Sequence, residues 1–254
     1  MNLHSFIEAK YAAQTGEFTR SRAFAALETG AVERLDYDKF IANLCRTHLK
    51  SPQILAFLYS AAPPAAAENV KHNMLEELGL DETGVSHPAL LFKLADAAGF
   101  DQRVQTGLEQ AAQEELRRMA SDPILFGTLK EIGLSVLLET TAFEWMLSRA
   151  ASRIAAFLAK YRGLSRESLT WFHHHSEVDI RHAEEGLQAV VDYIEFYEFD
   201  AADVEVILDV TFRENVFIKR YFADWSASVP PCNERLESAQ SARASQTLAL
   251  QSLS

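Results

Sequence analysis

From about residue 19 to residue 226, apolar side chains recur at intervals of three and four, with no alternating β-branched run and no Asn-Gly or Asp-Gly turn between them. That period restricts the chain to helices with one apolar side each, and those sides can be buried only against one another. The expected fold class is all-α. Glycine and proline divide the pattern into helices near 19–29, 35–49, 52–61, 65–79, 88–99, 101–120, 123–161, 166–197 and 200–226. Ser51-Pro52 and Asp122-Pro123 each place a capping side chain before a proline at the first helical position, and Ser86 or His87 stands at the cap before Pro88.

No linker rich in Pro, Gly or Ser divides residues 1–226, and no repeat is visible. One helical-bundle domain with any site in its core is expected over 1–226, followed by a polar, mobile tail over 227–254. At 254 residues and 48% hydrophobic the chain can bury a sizeable core. Its formal net charge of −12 argues against nucleic acid and anionic membrane surfaces as partners. Cys45 and Cys232 are the only cysteines and lack the spacing of a disulfide framework or a zinc site. MNLHSFIEAKYAAQ does not have the pattern of a cationic start, apolar stretch and small-residue cleavage site, and no segment has eighteen uninterrupted apolar residues, so the expected location is the cytoplasm.

The stretch WFHHHSEVDIRHAEEG (171–186) breaks the apolar logic of its helix. One stripe runs Phe172, His175, Asp179, His182, Gly186, Val190, Ile194, Tyr197. It is apolar at both ends and carries three potential metal ligands in its middle. A buried carboxylate flanked by two imidazoles is costly unless a cation pairs with it, either a divalent metal or an Arg or Lys from another helix. His173 and His174 lie off this stripe and are expected to be solvated.

A metal site needs donors from other helices. Glu77 shares a face with Val70, Asn73 and Met74, whereas Glu76 lies about 100° away and is expected to be solvated. His87 precedes a strongly apolar helix. In 133–163, Glu139 keeps the more apolar company (Val136, Ala142, Phe143, Met146) and is the first choice, with Glu144 in reserve. Three carboxylates and three imidazoles suit Fe(II) better than zinc.

The set Glu77, His87, Glu139, His175, Asp179 and His182 resembles the ligand pattern of the haem-oxygenase-like diiron oxidases and oxygenases, a superfamily of seven-helix bundles, over about residues 20–215. NMLEE resembles that superfamily's segment with Asn four residues before a ligand Glu, ETTAFEW its segment with a ligand Glu five residues before Glu-Trp, and HSEVDIRHAEEGLQAV its last ligand helix. The ten positions separating Glu77 from His87 are longer than in the alkene-forming fatty-acid decarboxylases. They are closer to the N-oxygenase and para-aminobenzoate-forming branches, the latter of which consume one of their own side chains.

The resemblance implies two Fe(II) ions per chain, the second open to loss, with O2 as co-substrate. Glu77, His87 and Glu139 would anchor one iron and His175, Asp179 and His182 the other, Glu139 bridging. It further implies N-oxygenation, C–H cleavage, desaturation or oxidative C–C cleavage of a small amino- or carboxylic-acid-like metabolite. No catalytic residue beyond the ligands is assigned, and a homodimer is compatible. The competing readings are a metal-independent enzyme of the thiaminase-like or pyrroloquinoline-quinone-synthesis kind, and a non-enzymatic iron-binding bundle.

Overall fold

The computed structural model describes residues 2–80, 84–121 and 127–223, without the side chains of 118–121 and 177–181. Among the described residues there are helices and no strands. In chain order they are α1 (Leu3–Arg20), α2 (Arg22–Thr29), α3 (Arg34–His48), α4 (Ser51–Ala61), α5 (Pro64–Glu77), α6 (His87–Ala97), α7 (Gln102–Ser121), α8 (Leu129–Arg162), α9 (Thr170–Phe196), α10 (Ala201–Thr211) and α11 (Val216–Tyr221).

The frame is built on α8. A capping box starts it, with the Thr128 hydroxyl accepting from the Glu131 amide and the Glu131 carboxylate accepting from the Thr128 amide, and Gly163 ends it in the left-handed conformation. Its 34 residues bury apolar side chains on several sides, which only a central helix can do. The most extensive contact of α8 is with α9. Gly186 sets the closeness of that contact, because a Cβ there would come within 2.8 Å of Thr141 Cγ2 and 3.3 Å of Glu144 Oε2.

Two elements depart from the sequence expectation. Helix α1 was not expected, because only Ile7, Tyr11, Thr15 and Phe18 of its 18 residues are buried and the stripe is diluted by Ala, Gln and Glu. The Tyr11 hydroxyl lies 2.6 Å from Thr141 Oγ1 and ties α1 to the middle of α8. The expected helix 200–226 is two helices, since Asn215 accepts from the Ile218 amide and starts α11 afresh, while its own amide donates to the Gln14 carbonyl at 2.7 Å. At α4 the cap falls one residue early, on Lys50. The Asp122-Pro123 cap and the tail 227–254 lie outside the described residues.

The first and last described helices meet in an aromatic core. Phe18 of α1 packs edge-on against Phe24 of α2 and against Phe217 and Tyr221 of α11, while Phe40 of α3 bridges Phe157 of α8 and Tyr221.

Candidate metal centre

The last turn of α5 carries Glu76 and Glu77 side by side, and the chain then doubles back. Gly79 makes the reversal possible: its φ is 71°, and a Cβ would lie 2.4 Å from the Ser86 amide nitrogen. Ser86 caps α6 by accepting from Ala89, which places His87 on the first turn of that helix. Ten positions of sequence therefore close to 2.8 Å between His87 Nδ1 and Glu77 Oε1. The third member, His175, comes from α9, with its ring 4.8 Å from that of His87. Its Nδ1 lies 2.7 Å from the Trp171 carbonyl. A carbonyl only accepts, so Nδ1 carries the proton and Nε2 is left as the ligating atom. Donor atoms of Glu77, His87 and His175 all lie within 4.8 Å of one another, and the three side chains are buried.

A second cluster stands beside the first. His182 Nε2 is 2.7 Å from Glu76 Oε2, and His72 Nε2 is 3.5 Å from Glu76 Oε1. His182 and Glu76 are buried and His72 is exposed. Consecutive residues on a helix point about 100° apart. Glu77 thus serves one cluster and Glu76 the other.

Glu144 of α8 is near both. It accepts a hydrogen bond from the Asn73 side-chain amide and borders both the cavity that holds Glu77 and His175 and a small pocket beside His182. Burial pushes its carboxyl up to about 8; the Asn73 bond opposes this, and the charges of Glu77, Glu185 and Glu76 add to it. Burial also raises the Glu77 carboxyl, but His87, Ser51 and His48 outweigh it and leave that group below the usual carboxylate range. His175 is pushed well below the ordinary imidazole value, first by burial and then by His87. Burial brings His48 down to about 4.

The structure therefore brings together Glu77, His87 and His175 and puts His182 in the neighbouring cluster. The Asp179 side chain lies outside the described residues. Glu139 needs correction. It joins neither cluster; its Oε1 accepts from Arg220 Nε at 3.1 Å and Nη2 at 3.0 Å, and Arg220 Nη1 donates to Glu115 at 3.1 Å. The partner of Glu139 is supplied by α11, and the reserve residue, Glu144, is the one that borders the pockets of both clusters. Glu76 and His72 were not expected at the site. The signal that could have found them is their own i, i+4 spacing. His174, expected in solvent, is half-buried, with its ring 4.8 Å from that of His87.

The donor set fits iron. Acids converge with imidazoles there, an arrangement that a divalent cation stabilises and an empty apolar core would not. The oxygens and nitrogens are hard to borderline ligands. The Cys45 thiol is turned away, donating to the Leu91 carbonyl at 3.8 Å. A cavity of about 270 Å³ abuts Glu77, Glu144 and His175 and is walled by Leu55, Leu116, Val136, Phe143 and Leu147.

Helices of this arrangement with inward-facing His and Glu donors define a haem-oxygenase-like bundle. Residues 38–206, about two thirds of the chain, match the model of a family described as iron-containing redox enzymes, and the chain belongs to that family. It is thus an oxidoreductase of an iron-containing class. No curated protein sequence matches it. No helix among the described residues is long and apolar enough to cross a membrane.

Proposed function

We propose that the protein is a non-haem diiron oxygenase or oxidase that uses O2 to oxidise a small amino- or carboxylic-acid-like metabolite. The observation that carries this reading is the pair of donor clusters built on adjacent residues Glu76 and Glu77, with Glu144 near both. Glu77, His87 and His175 would hold one iron. Glu76, His182 and His72 would hold the other, with Asp179 in sequence register to join and Glu144 near enough to serve either. The exposure of His72 favours a second ion that exchanges more readily than the first.

Iron held by these groups would supply the electrons and the coordination position that O2 activation requires. The chain does the rest. Trp171 fixes the tautomer of His175, the Ser51 hydroxyl donates to Glu77 at 2.5 Å, and the Asn73 amide holds the Glu144 carboxylate toward both clusters. The apolar walls of the cavity bring a substrate against Glu77, Glu144 and His175 and displace water from that end. The thiaminase-like form of the metal-independent reading needs an activated nucleophile, and burial instead pushes the Cys45 thiol up to about 12.

Anaerobic loading with Fe(II) is expected to give two irons per chain and iron-dependent O2 uptake, both lowered by His175→Ala. A protein that takes up no iron, or a His175→Ala variant with unchanged iron content and O2 uptake, would sink the proposal.

A further inference from the structure

The charged groups that line the cavity are nearly all matched. Lys50 Nζ is 3.0 Å from Glu109, Arg220 is clamped by Glu139 and Glu115, Glu77 is held by His87 and Ser51, and Glu144 by Asn73. Arg46, on the last turn of α3, is the exception: among the described residues it is the one charged lining group with no hydrogen-bond or ion-pair partner. It is half-buried. A guanidinium drawn out of water without a partner is held at a cost, and its planar fork matches a carboxylate with two parallel hydrogen bonds.

We infer that Arg46 binds the carboxylate of the substrate, and that the substrate is a monocarboxylate with an apolar body lying along Leu55, Leu116, Val136 and Leu147. This rests on the reading of the cavity as the site of oxidation. Charge arithmetic favours a single negative charge over a phosphate dianion. Lys50 is neutralised by Glu109, and Arg220 with its two carboxylates carries one net negative charge on the same wall. An amine head finds no matching vacancy, since Glu139 and Glu115 are both engaged by Arg220. With its head at Arg46, the body of the substrate extends through the apolar part of a cavity whose other lining includes Glu77, Glu144 and His175.

The test is calorimetric titration of hexanoate, octanoate and decanoate, with octylamine, 1-octanol and octyl phosphate as controls, into the Fe(II)-loaded protein under anaerobic conditions and into the metal-free protein. At least one acid is expected to bind both forms more tightly than the three controls. Arg46→Gln is expected to weaken that acid on the order of tenfold or more, as for loss of a charge-assisted pair, with 1-octanol unaffected and Arg46→Lys restoring part of the loss. Equal acid binding by wild type and Arg46→Gln overturns the inference, as does no acid binding at all. Tighter binding of octyl phosphate or octylamine than of any acid overturns it too. Acid binding that is lost with the metal but indifferent to Arg46 assigns the carboxylate to iron and also overturns it. A protein that takes up no iron yet binds the acid through Arg46 supports this inference while removing the proposed function.

Discussion

The choice between two acids on one helix decides the chemistry of the centre. Glu139 and Glu144 both project from a buried part of α8, and the apolar neighbours of Glu139 made it the better candidate by burial cost. That argument fails because the compensating charge, Arg220, lies 81 residues away, where helical phase gives no information about it. Glu144, unlike Glu139, borders both the cavity of Glu77 and His175 and the pocket beside His182, and the two carboxylates are expected to behave differently. Glu144→Gln should lower iron stoichiometry, whereas Glu139→Gln should leave it unchanged and cost about 1 kcal/mol or less, since the ion pair to Arg220 is partly exposed. Iron analysis and urea denaturation of the two variants check both halves. Proton linkage gives a second readout. The folded-state value of about 8 for Glu144 lies above its ordinary range, so near neutrality the metal-free protein holds the proton that ligation must expel. Iron affinity should therefore rise with pH up to about 8 and then level off. Titration in buffers of different ionisation enthalpy should find about one proton fewer released by Glu144→Gln. In the metal-free protein the contribution of Glu144 to stability falls as pH climbs from the usual carboxylate range toward the raised value, because the folded state binds the proton more tightly there.

At the scale of elements, the sequence was most legible where a helix has one buried face. The phase of α9 separated the buried His175 and His182 from His173, and the Asn73 to Glu77 spacing pointed to the turn of α5 that is buried beside His87. It was least legible where a helix is buried on more than one side or its stripe is thin. Helix α5 ends between two clusters, so Glu76 and Glu77 both face inward, and a single-face rule must discard one of them. In α1 the four buried residues are too few to stand out from their polar and small neighbours. A helix-interior glycine was the overlooked clue to Glu144: Gly186 marks where α9 approaches α8 closely, and that approach brings His182 and Glu144 to one place. Alanine normally stabilises a helix relative to glycine by about 1 kcal/mol. Here its methyl would meet Thr141 Cγ2 at 2.8 Å, and overpacking of about 1 to 3 kcal/mol should reverse the sign. Gly186→Ala is expected to lower both Tm and iron occupancy. Adding Thr141→Ser, which removes Cγ2 and keeps the hydroxyl for Tyr11, should recover most of the loss. If the single variant is more stable than wild type and retains its iron, the close approach does not position the site.

For the molecule as a whole, the match to the family spans 38–206, yet the groups that hold this bundle shut lie on both sides of that span. Upstream, Tyr11 reaches Thr141 one turn from Glu144, and Phe18 and Phe24 are fully buried in the aromatic core. Downstream, Phe217 packs on Phe143 with ring centroids 5.0 Å apart, and Arg220 clamps α7 to α8. The Tyr221 hydroxyl lies 2.6 Å from His48 Nε2, which matters because His48 also packs against Trp171, the residue that orients His175. Cutting the chain to 38–206 removes all of these at once. Each large buried aromatic lost is worth about 3 to 5 kcal/mol, and a domain of this size has a net stability of only about 5 to 15 kcal/mol. The trimmed chain is therefore expected to keep helical circular dichroism at most in part, to lose resolved amide dispersion in NMR spectra, and to bind no iron stoichiometrically. Tyr221→Phe in the full chain probes the polar link, because it keeps the ring and removes the hydroxyl that meets His48. It should cost about 1 to 3 kcal/mol in urea denaturation with the fold intact. A trimmed chain with native dispersion and full iron occupancy would mean that the centre is held by its own four helices and that the terminal helices are accessory.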